Sequence, residues 1–267
     1  MKFGQVALAV IAIVGLSALA HAEAAPHRAL SSSEAMIAGE ERSRPKVANV
    51  QDAIDAYVHE AEQGNADAMN LLGVLYADGA AVTQDYSRSL YWYLKAVDHG
   101  STRAMNNVAT LYLYGLGVPQ DYQRAASWFQ RAADQGSARA MNSLGVMAYQ
   151  GLGMERNRQR AHKMYQRAAE NGLVPAMLNL SDSYEQGQGV KRDLLQAYVW
   201  LEVAFELGLP EELKRPAVNQ LNTLAARLGQ RRRDDAQLLA AHRAKLVRER
   251  ALTIESGESK VVSKSGF

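Results

Sequence analysis

Histidine is the residue type whose chemistry is easiest to recognise in this sequence, because it serves as a metal ligand and as a general base. His59-Glu60 begins the H-E-x-x-H pattern of a zinc site, but Gln63 stands where the second histidine is required. The chain has no cysteine, which excludes thiolate ligands, a cysteine nucleophile and disulfides. We therefore expect no bound metal.

Short glycine pairs are the second pattern with possible chemistry, because glycine-rich loops cradle phosphates. Gly115-Leu116-Gly117 and its counterparts at 151–153 and 187–189 resemble half of a dinucleotide-binding loop, but they follow helical segments and lack the third glycine. No serine stands in the G-x-S-x-G or S-x-x-K contexts of common hydrolases. The sequence therefore predicts a protein that is not an enzyme and that carries no cofactor.

Two basic clusters could hold an anionic partner, one around the third glycine pair and one near the C-terminus. They consist of Arg156, Arg158, Arg160, Lys163 and Arg167, and of Arg231, Arg232 and Arg233. Such clusters are typical of solvated surface, and they would also suit weak contact with an anionic envelope polymer or a membrane surface. The formal charge of the whole chain is only +2, so we expect no nucleic-acid binding.

The elements that carry these residues repeat every 36 positions. The pair Ala-Met recurs four times at this interval, and two series of glycines and all three tryptophans keep the same register. Because the tryptophans share one repeat position, we expect them to fill the space between neighbouring units. We assign the following residues to the scaffold: Gly64, Gly79, Trp92, Gly100, Gly115, Trp128, Gly136, Gly151, Gly172, Gly187, Trp200 and Gly208.

Each unit is predicted to contain two helices. In the second repeat, apolar residues from Ala104 to Tyr112 recur at helical spacing, and Gly115 then ends the helix. Asp121 is placed to cap the next helix, which ends at Gly136. Two short amphipathic helices cannot bury their faces alone, whereas stacked units can. The fold class that follows is all-α: an α-solenoid of stacked two-helix 36-residue repeats with helical caps.

The segments outside the repeats have other compositions. Residues 1–22 have the order of a secretory signal peptide, with an apolar core at 6–16 and a cleavage site at Ala20-His21-Ala22. An uncleaved membrane anchor is the alternative, although this core is about half as long as a spanning helix. We therefore expect a periplasmic or secreted protein. The remaining chain is predicted to contain a flexible linker at 23–46, the repeats with an N-terminal half-unit at 47–210, a C-terminal helical cap at 211–249 and a flexible tail at 250–267. The cap is predicted to contain two helices, at 217–229 and 234–249.

The repeat pattern A-M-N-x-L-G-x-x-Y-x-x-G-x-G-V-x-x-D, followed by A-x-x-W-x-x-x-A-x-x-x-G, resembles the Sel-one-like repeat family, a relative of the tetratricopeptide repeats. The pattern covers 65–208 in four units, with departures at Ala81, Ala148 and Met164. The resemblance implies an adaptor that mediates protein–protein interactions in the cell envelope, with other envelope proteins or peptides as partners. It leaves open a periplasmic regulator that binds a sensor-kinase ectodomain and, more distantly, a hydrolase that acts on an envelope polymer.

The first helix of each unit offers a candidate partner-binding surface. If the alanine of each Ala-Met pair marks the buried side, the positions one before it and two after it lie at about 260° and 200° around the helix. This geometry predicts one exposed face that carries Asn70, Arg103, Asn106, Arg139 and Asn142. Amide and guanidinium groups there would suit an extended peptide with acidic side chains or a free C-terminus. The alternative is that these residues are solvent-exposed polar positions without a function.

Overall fold

The computed structural model describes residues 50–255, and this part of the chain consists of α-helices and short loops. The signal peptide, the linker and residues 256–267 of the tail lie outside the described residues. The all-α fold class is confirmed. Residues 50–255 form eleven helices: α1 Val50–Glu62, α2 Ala66–Asp78, α3 Tyr86–Asp98, α4 Thr102–Tyr114, α5 Tyr122–Asp134, α6 Ala138–Gln150, α7 Arg158–Glu170, α8 Val174–Gln186, α9 Leu194–Glu206, α10 Glu211–Leu228 and α11 Gln230–Glu255.

Local signals start and end the helices of each repeat. The carboxylate of Asp121 accepts a hydrogen bond from the backbone N–H of Arg124 at 2.9 Å and so caps α5. The side chains of Asp85, Asn157 and Asp193 cap the second helix of the other three repeats in the same way. Each first helix of a repeat ends at a glycine in the left-handed conformation. The prediction of two helices per unit is therefore confirmed.

The described helices belong to two compact units, and the first contains α1 to α6 and ends at Arg156. In this unit each helix packs on the next one along the chain. Helix α1 precedes the first complete repeat and buries Ile54 and Ala61. That it is the second helix of an incomplete repeat stays a prediction. Its packing on α2 covers an apolar face that would otherwise be open.

In the last three repeats, the second glycine of the inter-helix loop makes a close backbone contact with the preceding repeat. Gly117 has a φ of +68°, and a Cβ atom there would lie 2.6 Å from Tyr86 Cβ and 2.8 Å from the Tyr86 carbonyl carbon. Tyr86 is the first residue of α3, so the loop after α4 rests on the start of that helix. Gly153 meets Tyr122 in the same manner. The corresponding Ala81 of the first repeat is exposed, which explains why a larger residue is tolerated there.

The second compact unit contains α7 to α11 and begins at Asn157. Two helices follow the last repeat, as predicted, but their bounds differ from those expected at 217–229 and 234–249. Helix α10 begins at Glu211 and includes Pro216. Glu211 and Glu212 favour the positive end of the helix dipole, and the missing Pro216 N–H frees only the carbonyl of the exposed Glu212. Helix α11 continues to Glu255, into the segment predicted to be a flexible tail.

The three tryptophans do not share one environment, which corrects the expectation that all of them fill the space between units. Trp200 is 3% exposed, because α11 packs on α9 and covers it. Trp92 and Trp128 of the first unit are half-buried. The guanidinium of Arg131 lies 4.2 Å from the centre of the Trp128 ring and covers one of its faces. Tryptophans at equivalent repeat positions are therefore buried to different degrees, because different elements pack on them.

None of the helices between residues 50 and 255 combines the length and the apolar character that crossing a bilayer requires.

Candidate functional site

Two of the asparagines predicted to be exposed are buried. Asn106 is 6% exposed, and its Nδ2 donates hydrogen bonds to Ser137 Oγ at 2.8 Å and to the Thr102 carbonyl at 3.2 Å. Asn142 is 4% exposed. The prediction of exposure was wrong because it assumed a single buried side for each first helix. For Asn106, the side that faces the next repeat is buried as well, and Ser137 is the N-cap residue of that repeat.

The other predicted binding residues remain at the surface but make contacts within the first unit. Asn70 is half-buried, and its Oδ1 accepts a hydrogen bond from Asn107 Nδ2 at 3.0 Å. Arg103 forms an exposed ion pair with Asp67 at 3.8 Å. Arg139 is exposed. The structure thus does not assemble the predicted row of amides, and a binding role for Asn70, Arg103 and Arg139 stays a prediction.

A groove in the second unit is the candidate site that the structure adds. It has a volume of about 290 Å³ and is open to solvent. Helix α11 forms one wall, and α7, α9 and the end of α8 form the rest. The lining residues combine aromatic, amide, charged and aliphatic groups: Gln166, Glu170, Tyr184, Gln196, Trp200, Arg243, Leu246, Val247 and Arg250.

Arg243 is the central charged group of this groove. Its guanidinium carbon lies 4.6 Å from the centre of the Trp200 ring, and its Nη1 donates a hydrogen bond to Gln196 Oε1 at 3.0 Å. Burial lowers the pKa of Arg243, and the neighbouring Tyr184 and Glu170 oppose that shift. An arginine stays ionised at neutral pH, so the groove contains a positive charge held in a fixed orientation. Burial also raises the pKa of the Tyr184 hydroxyl, which therefore stays protonated and can donate a hydrogen bond.

The sequence pattern did not predict this groove, although one local signal for it existed. Arg243 and Arg250 are seven residues apart and therefore lie on one side of a helix, two turns apart. The neighbouring alanines 236, 240 and 244 form the buried side of α11. Nothing local indicates which helix that side contacts, because the packing of α11 on α9 joins residues about forty positions apart.

A buried serine–histidine pair lies close to the groove, and its hydrogen bonds show its role. The Ser183 hydroxyl donates to the Gln188 carbonyl at 2.7 Å, so its oxygen accepts from the Nδ1–H of His162 at 2.9 Å. A nucleophilic serine would instead give its proton to the imidazole. The Tyr184 ring stands edge-on to His162, and burial lowers the pKa of this histidine. The pair therefore fixes the loop after α8 to α7 as a neutral structural contact.

A carboxylate cluster joins α8 to α10. Gln220 Nε2 donates hydrogen bonds to Asp182 Oδ1 at 2.8 Å and to Glu185 Oε2 at 2.9 Å, and Arg227 pairs with Glu185 at 3.2 Å. Burial raises the pKa of Asp182 to about 6, the charge of Glu185 adds to this shift, and the hydrogen bond from Gln220 opposes it. Asp182 is consequently a destabilising charge at neutral pH.

We predict that Asp182→Asn stabilises the protein at pH 7 by about 1–3 kcal/mol. The pKa of Asp182 is about 6 in the folded chain against an ordinary value of 3.8, so between these values the folded state holds a proton that the unfolded state has lost. Stability therefore falls as the pH rises from about 4 to about 6, and this loss disappears in the variant. Urea unfolding at pH 4.5 and pH 7 measures both effects. As a control, Arg227→Gln removes the cation that pairs with Glu185 at 3.2 Å and should act in the opposite direction. A less stable Asp182→Asn variant at pH 7 would contradict the assignment.

Charge is distributed unequally between the two parts of the chain. Residues 50–156 contain seven lysines and arginines against eleven aspartates and glutamates, a net −4, whereas residues 157–255 contain sixteen against twelve, a net +4. The groove therefore lies in the basic part of the chain. Between residues 50 and 255, the structure forms no group of three His, Asp or Glu side chains with metal-binding geometry.

Stacked helix pairs in register and an open surface groove define the class of protein: an all-helical repeat protein of the α-solenoid type. The Sel1 repeat family matches the chain at residues 66–101, 102–137, 138–173 and 174–209. The chain belongs to the Sel1 repeat family, as its sequence pattern predicts. Sel1-repeat proteins in general mediate protein–protein interactions.

Two solved structures are similar in sequence and fold. The first is c5321, a protective antigen present in uropathogenic Escherichia coli strains that displays an SLR fold, with 28% identity and a TM-score of 0.66 over 81% of this chain. This chain spans 46% of the length of c5321. The second is a Sel1 repeat protein from Oxalobacter formigenes, with 28% identity and a TM-score of 0.62 over 73% of this chain and 80% of that one. No curated protein matches the sequence.

Proposed function

We propose that this protein is an exported adaptor that binds a protein partner in the periplasm and carries out no catalysis. The observation that carries the proposal is the match of four consecutive Sel1 repeats in one unbroken register, because such repeats are protein-binding scaffolds. Export is supported by the order of a basic residue, an apolar core and Ala20-His21-Ala22 at the start of the sequence.

Crosslinking in intact cells, followed by fractionation, tests this proposal. We predict that the protein recovered from the periplasmic fraction begins at Glu23, the residue after the cleavage site, and crosslinks to one defined envelope protein. A matched variant with Ala20→Leu and Ala22→Leu, which removes both small residues of the cleavage site, should retain the first 22 residues and stay with the membrane.

Two results would contradict the proposal. A chain that begins at Met1 and fractionates with the cytoplasm would exclude export. Turnover of an envelope polymer by the purified protein would exclude a purely adaptor role. If the crosslinked partner is the ectodomain of a sensor kinase, the protein is an adaptor with a regulatory task.

A further inference from the structure

We propose that the groove of the second unit binds an extended acidic segment of a protein partner, held by Arg243 and Arg250. This inference rests on the proposed adaptor function and names the chemistry of the partner. The two arginines are two helical turns apart on α11, which places their Cα atoms about 10 Å apart along the helix. Carboxylates at alternate residues of an extended peptide are about 7 Å apart, so long arginine side chains can reach both of them.

The charges of the groove favour an anionic segment. Glu170 is the one acidic residue among the lining residues, against Arg243 and Arg250. Its Oε1 accepts a hydrogen bond from Gln166 at 2.9 Å. Arg250 is exposed, and no carboxylate of the described residues pairs with it. The surrounding part of the chain carries a net +4, which would draw an acidic partner toward the groove.

The remaining lining groups favour a peptide over a lone anion. The amide of Gln196 and the hydroxyl of Tyr184 can exchange hydrogen bonds with a peptide backbone. Leu246 is 50% exposed at the rim, beside the buried Val247 and Trp200. An apolar side chain of a peptide would cover Leu246, whereas a phosphate headgroup would leave it exposed to water. The stacked Trp200 holds Arg243 in place before binding, which lowers the entropic cost of the contact.

Fluorescence anisotropy with the full chain tests the proposal. The probe is a fluorescein-labelled peptide of about twelve residues with glutamate at alternate positions, which is long enough to cross the groove at about 3.3 Å per residue. The comparison probe has glutamine in place of every glutamate. We expect the acidic probe to bind, with an affinity that falls as salt is added, and the glutamine probe to bind at least about tenfold more weakly.

Variants on α11 locate the binding site. Arg250→Gln is expected to weaken binding of the acidic probe about tenfold, because a charge-assisted contact is lost, without changing the melting temperature. Arg232→Gln is the matched control: this arginine lies on the same helix, is exposed and does not line the groove. Arg243→Lys keeps the charge but removes the planar fork, so it should weaken binding while retaining part of the contact with Trp200.

Three outcomes would overturn the acidic-segment proposal. Equal affinity for the two probes would show that carboxylates are not recognised. Equal loss in Arg232→Gln and Arg250→Gln would show general attraction to a basic surface. Binding to phosphatidylglycerol vesicles that depends on Arg250, without binding of the acidic probe, would assign the groove to lipid. The adaptor function is tested separately, by the crosslinking in cells. If Arg250→Gln retains its crosslinks to a defined partner, the protein is still an adaptor, but its partner binds at a surface other than the groove.

Discussion

Trp200→Ala is expected to lower the free energy of unfolding by about 3–5 kcal/mol, the largest effect of any substitution that we predict. Trp200 is 3% exposed beneath α11, and Arg243 lies on its ring. Removing the indole leaves a cavity between α9 and α11 and leaves the guanidinium without its aromatic contact. Because α11 packs on α9 through this region, we expect the backbone amides of α11 to lose protection from hydrogen exchange first.

Trp128→Ala is the matched control, since Trp128 holds the same repeat position two repeats earlier. Its side chain is half-buried and is covered on one face by Arg131 of its own helix, so we expect a loss of only about 1–2 kcal/mol. Urea unfolding followed by circular dichroism measures both variants. Equal losses would mean that the cover provided by α11 contributes nothing to stability, in contradiction to the structure.

The second large effect is expected at the inter-helix loop: Gly117→Ala should cost about 2–4 kcal/mol. Gly117 combines a positive φ with a backbone contact that leaves no room for a Cβ atom, which would come within 2.6 Å of Tyr86 Cβ. The neighbour cannot simply rotate away, because the Tyr86 carbonyl carbon is 2.8 Å from the same point. The loop and the start of α3 would have to separate.

Gly136→Ala separates the steric contact from the conformational strain. Gly136 has a φ of +89°, and no atom lies within 4 Å of the position that its Cβ would take. Its substitution should therefore cost only about 1–2 kcal/mol, the strain of the left-handed conformation. Thermal melts of the two variants decide the matter, with about 2–4 °C expected per kcal/mol for a chain of this size. A Gly117→Ala variant as stable as Gly136→Ala would show that the loop does not rest on the preceding repeat.

The sequence predicted the repeat scaffold well because the signals that build it are local. The side chain of Asp121 reaches an amide three residues ahead, and Gly115 ends α4 by its own φ of 69°. Such contacts depend on neighbours in the chain, and a strict period of 36 repeats them four times. Helix number, helix ends within the repeats and the family therefore followed from the residues alone.

Contacts between helices that are distant in the sequence decided which residues are buried and where the groove forms. Asn106 and Arg103 lie on one helix, and the sequence predicts both to be exposed. Ser137 of the next repeat contacts and buries Asn106, whereas Arg103 remains exposed to solvent. Trp128 and Trp200 are equivalent in the period, and only the placement of α11 makes one of them a core residue. The same placement brings Arg243 to Gln196 and forms the groove.

The amino-acid sequence by itself therefore determined the helices of this protein, their period and its membership of the Sel1 repeat family. The tertiary structure decided which polar positions are buried and where a groove forms. The physical reason is the range of the interactions: helix capping and glycine conformation act within a few residues, whereas burial depends on which surfaces of distant helices meet.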